Sequence, residues 1–197
     1  MRIGVDLDDV LTDLLGELIR FYHTWCGQSL SRRSVHDWSV FPTVMQEAFK
    51  EAGGYRNLRP LEGARDMLRW MHKQGDVYIV TYRSEEHADV TLRWLGEHMC
   101  GLYKPERVHF TGGPKVACCR RLGLDVLIDD SVRHTYDAVS ELAMFAILFS
   151  NGTAMVSRAC PHERLFFAKS HEEIKLKTAV VRQKLKEEQR PVQLESD

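Results

Sequence analysis

Two hydrophobic patterns alternate along most of this chain. Short apolar runs that end in polar residues predict buried strands, and they lie at residues 3–7, 77–81, 108–110, 126–128 and 144–149. Between them, apolar residues recur every three or four positions, which predicts helices over residues 14–25, 64–71, 85–96, 115–122 and 133–142. Strands that alternate with helices and are apolar throughout are typical of a parallel sheet covered by helices on both faces. We therefore expect an α/β fold.

The remaining segments carry fewer signals. Residues 26–60 are irregular, with aromatic side chains scattered among turn-forming residues. Gly75 is interpreted as the stop signal of the helix before it. Ser170 followed by Glu173 fits a capping box and predicts a final helix rich in Lys and Glu. The tail after Pro191 is expected to be disordered.

The composition is that of an ordinary globular protein and narrows the choice of partners. The 197 residues suit one domain with a small inserted subdomain, and the formal net charge of −1 offers no basic field to a nucleic-acid polymer. The five cysteines form no CxxC pair, which argues against a zinc site or a disulfide framework. No signal peptide or membrane-spanning stretch is recognisable, so we expect a cytoplasmic location and no membrane partner.

Candidate chemistry gathers where the predicted strands end. In open α/β sheets, ligands bind beyond the carboxyl ends of the strands. The first strand is followed by Asp6 and Asp8, and a later strand ends in Asp129 and Asp130. Carboxylates that converge on one point need a cation, and hard oxygen ligands suit Mg²⁺. The sequence therefore predicts a magnesium site at this edge of the sheet.

A hydroxyl and an ammonium group accompany these acids. Thr81 ends the second strand and Lys115 begins a predicted helix, and both would hold phosphate oxygens. Each signal alone has a simpler interpretation, because an Asp-x-Asp after a strand is more often an exposed turn and a lone Lys at a helix start is usually solvated. The hypothesis of phosphoryl transfer depends on the combination, since the required residue types occur in order.

These positions together resemble the four motifs of the haloacid dehalogenase (HAD) superfamily. Residues 5–13 are similar to the first motif, Thr81 to the second, Lys115 to the third and residues 126–130 to the fourth. The resemblance implies a Rossmann-like α/β core with a small helical cap inserted after the first strand. The implied boundaries are 1–15 and 61–170 for the core, 16–60 for the cap, 171–190 for a C-terminal helix and 191–197 for a disordered tail.

Within the superfamily, the chain most resembles the 5'(3')-deoxyribonucleotidase branch and its bacterial and phage relatives. The residues that carry this likeness are Asp37-Trp38, the run 9–13 and the strand ending 128–130. The implied activity is Mg²⁺-dependent hydrolysis of a nucleoside monophosphate through an aspartyl-phosphate. The expected partner is a small phosphate ester, in the first place a nucleotide, and a homodimer is left open.

The resemblance also implies a role for each site residue. Asp6 would attack phosphorus, and Asp8 would protonate the leaving alcohol and then deprotonate water. Mg²⁺ would bind Asp6, the backbone carbonyl of Asp8 and Asp129, with Asp130 either a ligand or a neighbour of the ligands. The residues expected to contact phosphate or substrate are Thr81, Tyr82, Arg83, Lys115 and Trp38.

Several alternatives stay open at this point. The aromatic residues of the cap could form only its own core, Arg83 could lie on the surface, and the histidines are interpreted as structural or surface residues. The substrate could be another small phosphorylated metabolite, because only the cap would decide. A non-catalytic HAD-fold binding protein is suggested by Asp9. The family commonly has Gly there, in a turn of positive φ, although Asp also visits such conformations.

Overall fold

Six parallel strands form the centre of the computed structural model, which describes residues 1–36, 38–152 and 160–188. The strands are β1 (Arg2–Val5), β2 (Asp76–Thr81), β3 (Val108–Phe110), β4 (Val126–Asp129), β5 (Phe145–Phe149) and β6 (Leu165–Ala168). Their order across the sheet is β3-β2-β1-β4-β5-β6, and every neighbouring pair is parallel. The predicted parallel α/β fold is confirmed, with β1 in the middle of the sheet.

Helices follow most of the strands, as the alternating pattern predicts. The α-helices are α1 (Leu14–Cys26), α2 (Thr43–Glu51), α3 (Ala64–Met71), α4 (Ala88–His98), α5 (Val116–Leu122), α6 (Val132–Leu142) and α7 (His171–Glu188). Short 3₁₀ helices lie at Arg32–Ser34, Trp38–Val40, Glu85–His87 and Pro105–Arg107. Within the described ranges, no helix is both long enough and apolar enough to cross a membrane.

Alternate residues of the central strands build a core on each face of the sheet. In β5, Ile147 belongs to one buried cluster, whereas Ala146 and Leu148 belong to the other. The first cluster is shared with α3 and α7, and the second with α5 and α6. Because the strands bury both faces, they read as continuous apolar runs in the sequence.

Two elements occur that the hydrophobic pattern does not predict. α2 lies inside the irregular segment 26–60 and buries Met45 and Phe49, which are one helical turn apart. β6 has only four residues and adds to the sheet beside β5, with Leu165 opposite Ala146. Both elements are short, and each contains only a few apolar positions at regular spacing. Such a pattern is too weak to distinguish a helix or strand from a loop.

The final helix begins as its capping signal predicts, with one difference. The hydroxyl of Ser170 accepts a hydrogen bond from the backbone N–H of Glu173 at 3.2 Å. The Glu173 carboxylate, however, accepts from the N–H of Lys169 at 2.9 Å rather than from that of Ser170. His171 then ties α7 to the loop after β1, since its Nε2 lies 2.8 Å from the carbonyl oxygen of Val10. The predicted disordered tail lies outside the described residues.

The interpretation of Gly75 as a helix stop is wrong. α3 ends at Met71 and is followed by His72 in a right-handed conformation. Gly75 instead permits a close approach between the beginnings of β1 and β2, because a β-carbon on it would lie 1.9 Å from the carbonyl oxygen of Met1. The neighbouring backbone N–H of Asp76 donates to that same oxygen at 2.9 Å.

Gly75→Ala is expected to lower the free energy of unfolding by about 1–3 kcal/mol, the usual cost of overpacking. The matched control is Gly96→Ala in α4, where the nearest atom to an added β-carbon is the Tyr103 hydroxyl at 3.4 Å. That change is expected to raise stability by about 0.4–1 kcal/mol, because alanine restricts the unfolded chain. Urea unfolding measures both values, and equal effects of the two substitutions would contradict the close contact.

Candidate active site

Three aspartates meet where two neighbouring strands end. β1 and β4 pair with Val5 opposite Ile128, and the backbone N–H of Asp6 donates to the Ile128 carbonyl at 2.9 Å. This register places Asp6 beside Asp129 and Asp130, and carboxylate oxygens of the three residues lie within 4.8 Å of one another. Acids more than 120 positions apart in sequence therefore form one cluster.

A buried lysine holds two of these acids together. Lys115 immediately precedes α5, and its Nζ lies 2.7 Å from Asp6 Oδ1 and 2.6 Å from Asp129 Oδ2. The side chain is almost fully buried, which disfavours its charged form, but the carboxylates of Asp129 and Asp6 outweigh burial and raise the pKa of Lys115 above its usual range. The lysine is thus a fixed cation.

The Asp6 carboxylate has one engaged and one free oxygen. Oδ1 contacts Lys115 and also accepts the backbone N–H of Leu7 at 2.7 Å. Among the described residues, no hydrogen bond to Oδ2 is found, so this oxygen is available to a substrate or a cation. Burial raises the pKa of Asp6 to about 7, with the charge of Lys115 opposing that rise.

Asp129 and Asp130 differ in how the protein satisfies them. Asp129 Oδ2 contacts Lys115, while Oδ1 accepts the N–H of Ser131 at 2.9 Å and lies 3.3 Å from His134 Nδ1. Asp130 accepts no hydrogen bond within the part of the chain that the structure describes, and burial raises its pKa well above the usual range. A carboxylate in that position requires a cation or a proton.

This donor set fits a magnesium ion. Hard carboxylate oxygens from two strand ends suit Mg²⁺, which binds few protein ligands and keeps positions for water and phosphate. The single charge of Lys115 leaves the three clustered carboxylates with excess negative charge. Asp130 is the acid most in need of the ion, because Asp129 already has three protein partners.

Asp8 is not part of this cluster of three acids and pairs with an arginine. Arg83 Nε donates to Asp8 Oδ2 at 2.8 Å and Nη2 donates to Oδ1 at 2.6 Å. The hydroxyl of Thr12 also donates to Oδ1, at 3.0 Å. Arg83 is only 5% exposed, so the alternative of a surface position for it is wrong. Its contact with the general-acid candidate was not foreseen.

The second strand contributes side chains of two kinds. Thr81 is fully buried and its hydroxyl accepts the backbone N–H of Arg83 at 3.2 Å. Tyr82 is exposed, and its ring stacks on that of His134 with a centroid distance of 5.5 Å. His134 also lies beside Asp129, with its Nδ1 3.3 Å from Asp129 Oδ1, a contact that the sequence analysis did not indicate.

A cavity of about 870 Å³ lies over the acids and under the segment inserted after β1. Asp6, Asp8 and Asp130 line one side of it. The inserted segment lines the other side, with His36, Trp38, Gln46, Phe49, Lys50 and Tyr55. The segment thus faces the carboxyl edge of the sheet across a space of ligand size.

The aromatic residues of the inserted segment serve different purposes. Phe41 is buried in the core, whereas Trp38 is 37% exposed at the cavity wall with its ring 6.0 Å from that of Phe41. The Tyr55 ring covers the guanidinium of Arg83 at 4.0 Å. Asp37, which contributes to the resemblance beside Trp38, lies outside the described residues.

Asp9 keeps the turn that a glycine usually makes. Its φ is 56°, and its buried carboxylate accepts the N–H of Leu15 with both oxygens at 3.1 Å. Burial raises the pKa of Asp9 to about 7. Arg32 Nη1 lies 3.8 Å from Asp9 Oδ1, and the guanidinium group of Arg32 is closer to the carboxylate of Asp13. The additional acid therefore supports the beginning of α1.

The comparisons with known proteins agree with this geometry. A family model described as 5' nucleotidase, deoxy (pyrimidine), cytosolic type C protein matches residues 1–164 of the chain. The 5'(3')-deoxyribonucleotidases of Bacillus subtilis (strain 168) and Bacillus phage SPbeta are each 25% identical over 142 residues, which cover 67% of this chain and 77% of the relative.

Solved structures share the architecture. A HAD family hydrolase from Deinococcus radiodurans R1, with bound phosphate and sodium, has a TM-score of 0.64 and 18% identity over 91% of this chain and 95% of that one. A haloacid dehalogenase-like family protein from Streptococcus pneumoniae has a TM-score of 0.61 and 11% identity, with 90% and 97% covered. These likenesses concern the fold alone, and they confirm the expected HAD-type α/β core.

The two substitutions Asp9→Gly and Asp9→Ala separate the backbone of this turn from its side chain. Both variants lose the hydrogen bonds to Leu15, but only alanine has a β-carbon in the left-handed conformation. We expect Asp9→Ala to be less stable than Asp9→Gly by about 1–2 kcal/mol in urea unfolding. Equal stabilities would mean that the turn does not need a positive φ.

Proposed function

The chain belongs to the 5' nucleotidase, deoxy (pyrimidine), cytosolic type C family, and on that premise we propose that it hydrolyses nucleoside monophosphates through a phosphorylated Asp6 with Mg²⁺ bound. Membership confirms the expected enzyme class, a phosphatase of the HAD superfamily similar to deoxyribonucleotidases. The observation that carries the proposal is the contact of Lys115 with Asp6 and Asp129 beside Asp130, whose carboxylate accepts no hydrogen bond from the described residues.

Asp6 is the nucleophile in this proposal. Its Oδ2 has no hydrogen-bond partner in the described part of the chain, while Lys115 and the N–H of Leu7 fix Oδ1, so the carboxylate is oriented before a substrate arrives. Attack on phosphorus forms an aspartyl-phosphate as the bond from phosphorus to the ester oxygen breaks. Water then attacks the same phosphorus, the bond to Asp6 breaks and phosphate is released.

Asp8 carries the proton in both steps. It gives a proton to the ester oxygen as the alcohol leaves, since an alkoxide is a poor leaving group. It then takes a proton from the attacking water, which returns the side chain to its first state. Asp8 lines the same cavity as Asp6 and lies two residues after it in the chain, which supports this assignment.

Mg²⁺ would be held by the carboxylates of Asp6, Asp129 and Asp130, which lie together, and by the backbone carbonyl of Asp8. When bound there, Mg²⁺ would neutralise charge on the phosphate and orient it against Asp6. Lys115 supplies a second, permanent positive charge at the same place. Thr81 is fully buried with its hydroxyl bonded to the N–H of Arg83, and the residues that follow it, Tyr82 to Ser84, line the cavity where the phosphate would bind.

The inserted segment, residues 16–60, acts as a cap that selects the substrate. It borders the cavity with the exposed ring of Trp38 and the polar ends of Gln46 and Lys50. A cavity of about 870 Å³ has room for a nucleoside, and an exposed aromatic ring offers a surface on which a base can stack. The 5'(3')-deoxyribonucleotidase relatives point to the same class of substrate.

Asp6→Asn is expected to lower the rate of phosphate release from a deoxynucleoside 5'-monophosphate by at least about 10³-fold, because an amide oxygen cannot form the acyl phosphate. Phosphate release is measured with Mg²⁺ across nucleoside monophosphates and sugar phosphates. The control is Asp66→Asn in α3, an exposed acid that pairs with Arg69. An unaffected Asp6→Asn variant contradicts the mechanism, and release from sugar phosphates alone contradicts the substrate.

Removal of divalent cations with a chelator is expected to abolish activity, and added Mg²⁺ should restore it. Asp130→Asn is expected to raise the Mg²⁺ concentration for half-maximal activity by about 10–100-fold, the range measured when groups around a metal are altered. Mg²⁺ should also raise the melting temperature of the unaltered protein more than that of the variant. Full activity in the chelator would refute the metal requirement.

A further inference from the structure

Arg83 has a different environment from a solvent-exposed arginine. All three of its guanidinium nitrogens donate to named partners: Nε and Nη2 to the carboxylate of Asp8 at 2.8 and 2.6 Å, and Nη1 to the hydroxyl of Thr91 at 3.0 Å. The side chain is 5% exposed, and Thr91 is fully buried in α4. These hydrogen bonds hold the guanidinium group in one orientation, and the bond to Thr91 anchors it to α4.

The inserted segment covers the same group from the other side. The ring of Tyr55 lies 4.0 Å from the guanidinium carbon, and it also contacts the ring of His87 at 4.9 Å. Arg83 is thus enclosed by an acid of the active site, a helix of the core and an aromatic ring of the segment 16–60. A planar group with donors in a fixed fork suits this place, whereas a lysine would supply only a point charge.

These contacts determine how the Asp8 carboxylate is turned. Oδ1 accepts two hydrogen bonds, from Arg83 Nη2 and from the Thr12 hydroxyl, and both of its lone pairs are then used. From the residues that the structure describes, Oδ2 accepts only the bond from Arg83 Nε, so one lone pair remains. Because Asp8 lines the cavity, Oδ2 is the oxygen that is left to exchange a proton with a substrate.

We propose that Arg83 is a positioning residue for proton transfer, whose two-pronged contact holds Asp8 with Oδ2 toward the reacting oxygen. The inference rests on the proposed function, since it assigns Arg83 to the step that Asp8 performs there. Arg83 binds neither phosphate nor metal in this account, and it acts through Asp8 alone. Loss of the two hydrogen bonds from Arg83 to Asp8 should therefore slow each step in which Asp8 transfers a proton. A step that needs no proton transfer should keep its rate.

A substrate with a good leaving group separates these steps. 4-Nitrophenyl phosphate loses nitrophenolate without protonation, so phosphorylation of Asp6 by it requires no acid, whereas hydrolysis of the phosphoenzyme still requires a base. A deoxynucleoside 5'-monophosphate requires proton transfer in both steps. Both steps are followed in single turnovers with enzyme in excess and Mg²⁺ present. Release of nitrophenolate or nucleoside measures phosphorylation of Asp6, and release of phosphate measures phosphorylation and hydrolysis together.

For Arg83→Lys, we expect nucleoside release and phosphate release to slow by about 10²-fold, the effect of a small misplacement of a catalytic group. Nitrophenolate release should stay within about threefold of the unaltered protein, as proton transfer contributes little there. Thr91→Val removes one partner of Arg83 without touching the cavity, and it should shift the same steps in the same direction by a smaller factor. If Arg83→Lys does not fold, the same rates measured for Thr91→Val test the proposal.

The matched control is Arg107→Lys, because Arg107 pairs with Asp76 at 2.8 Å and lies 5.1 Å from the Tyr78 ring, outside the active site. It should leave all three rates unchanged. Equal slowing of nitrophenolate and nucleoside release by Arg83→Lys would overturn the inference, because a general distortion or a lost phosphate contact affects both. Unchanged nucleoside release would also overturn it. An unaltered protein that releases phosphate from neither substrate would instead refute the proposed function itself.

Discussion

One buried ammonium group makes the acidic edge of this sheet possible. Lys115 Nζ bridges Asp6 and Asp129 at hydrogen-bond distance in a region from which water is almost excluded. Two carboxylates brought to neighbouring strand ends would otherwise repel each other, and removal of one partner from such a buried pair typically costs about 3–5 kcal/mol. The parallel register of β1 and β4 creates this crowding, and the start of α5 supplies the charge that offsets it.

The contact of Lys115 with Asp6 and Asp129 leaves part of the negative charge of the site without a partner. One lysine cannot neutralise three clustered acids, and Asp130 has no hydrogen-bond partner among the described residues. The excess charge faces a cavity that is bounded on its other side by the inserted segment. Asp8 stands apart, held by Arg83 and not by Lys115. In the proposed mechanism, the acids of the site thereby divide into those that would attract a cation and one that would transfer protons.

The order of strands and helices could be predicted because β1, β2, β4 and β5 are buried on both faces. Their apolar runs leave little ambiguity, and the polar residues after them marked the site. α2 and β6 were missed since each buries only a few side chains and borders on turn-forming residues. Gly75 was misinterpreted because the need for glycine there comes from a close contact with Met1. Met1 is distant in sequence, so no local pattern reveals this contact.

The candidate site was predictable as a set of residue types but not as a set of contacts. Asp6, Lys115, Asp129 and Asp130 do lie together, as their places at strand ends and a helix start suggested. The pairing of Asp8 with Arg83 joins the loops after two different strands, and that of Asp129 with His134 crosses the turn from β4 into α6, so side-chain directions were needed to find both.

The most direct test of the account is chemical trapping of the phosphorylated residue. The protein is mixed with a deoxynucleoside 5'-monophosphate and Mg²⁺, stopped during turnover and treated with borohydride, which reduces an acyl phosphate of aspartate to homoserine. Peptide mass spectrometry should then find homoserine at position 6 and at no other aspartate. Reduction at a different residue, or phosphate release with no trapped residue at all, would contradict the assignment of Asp6 as the nucleophile.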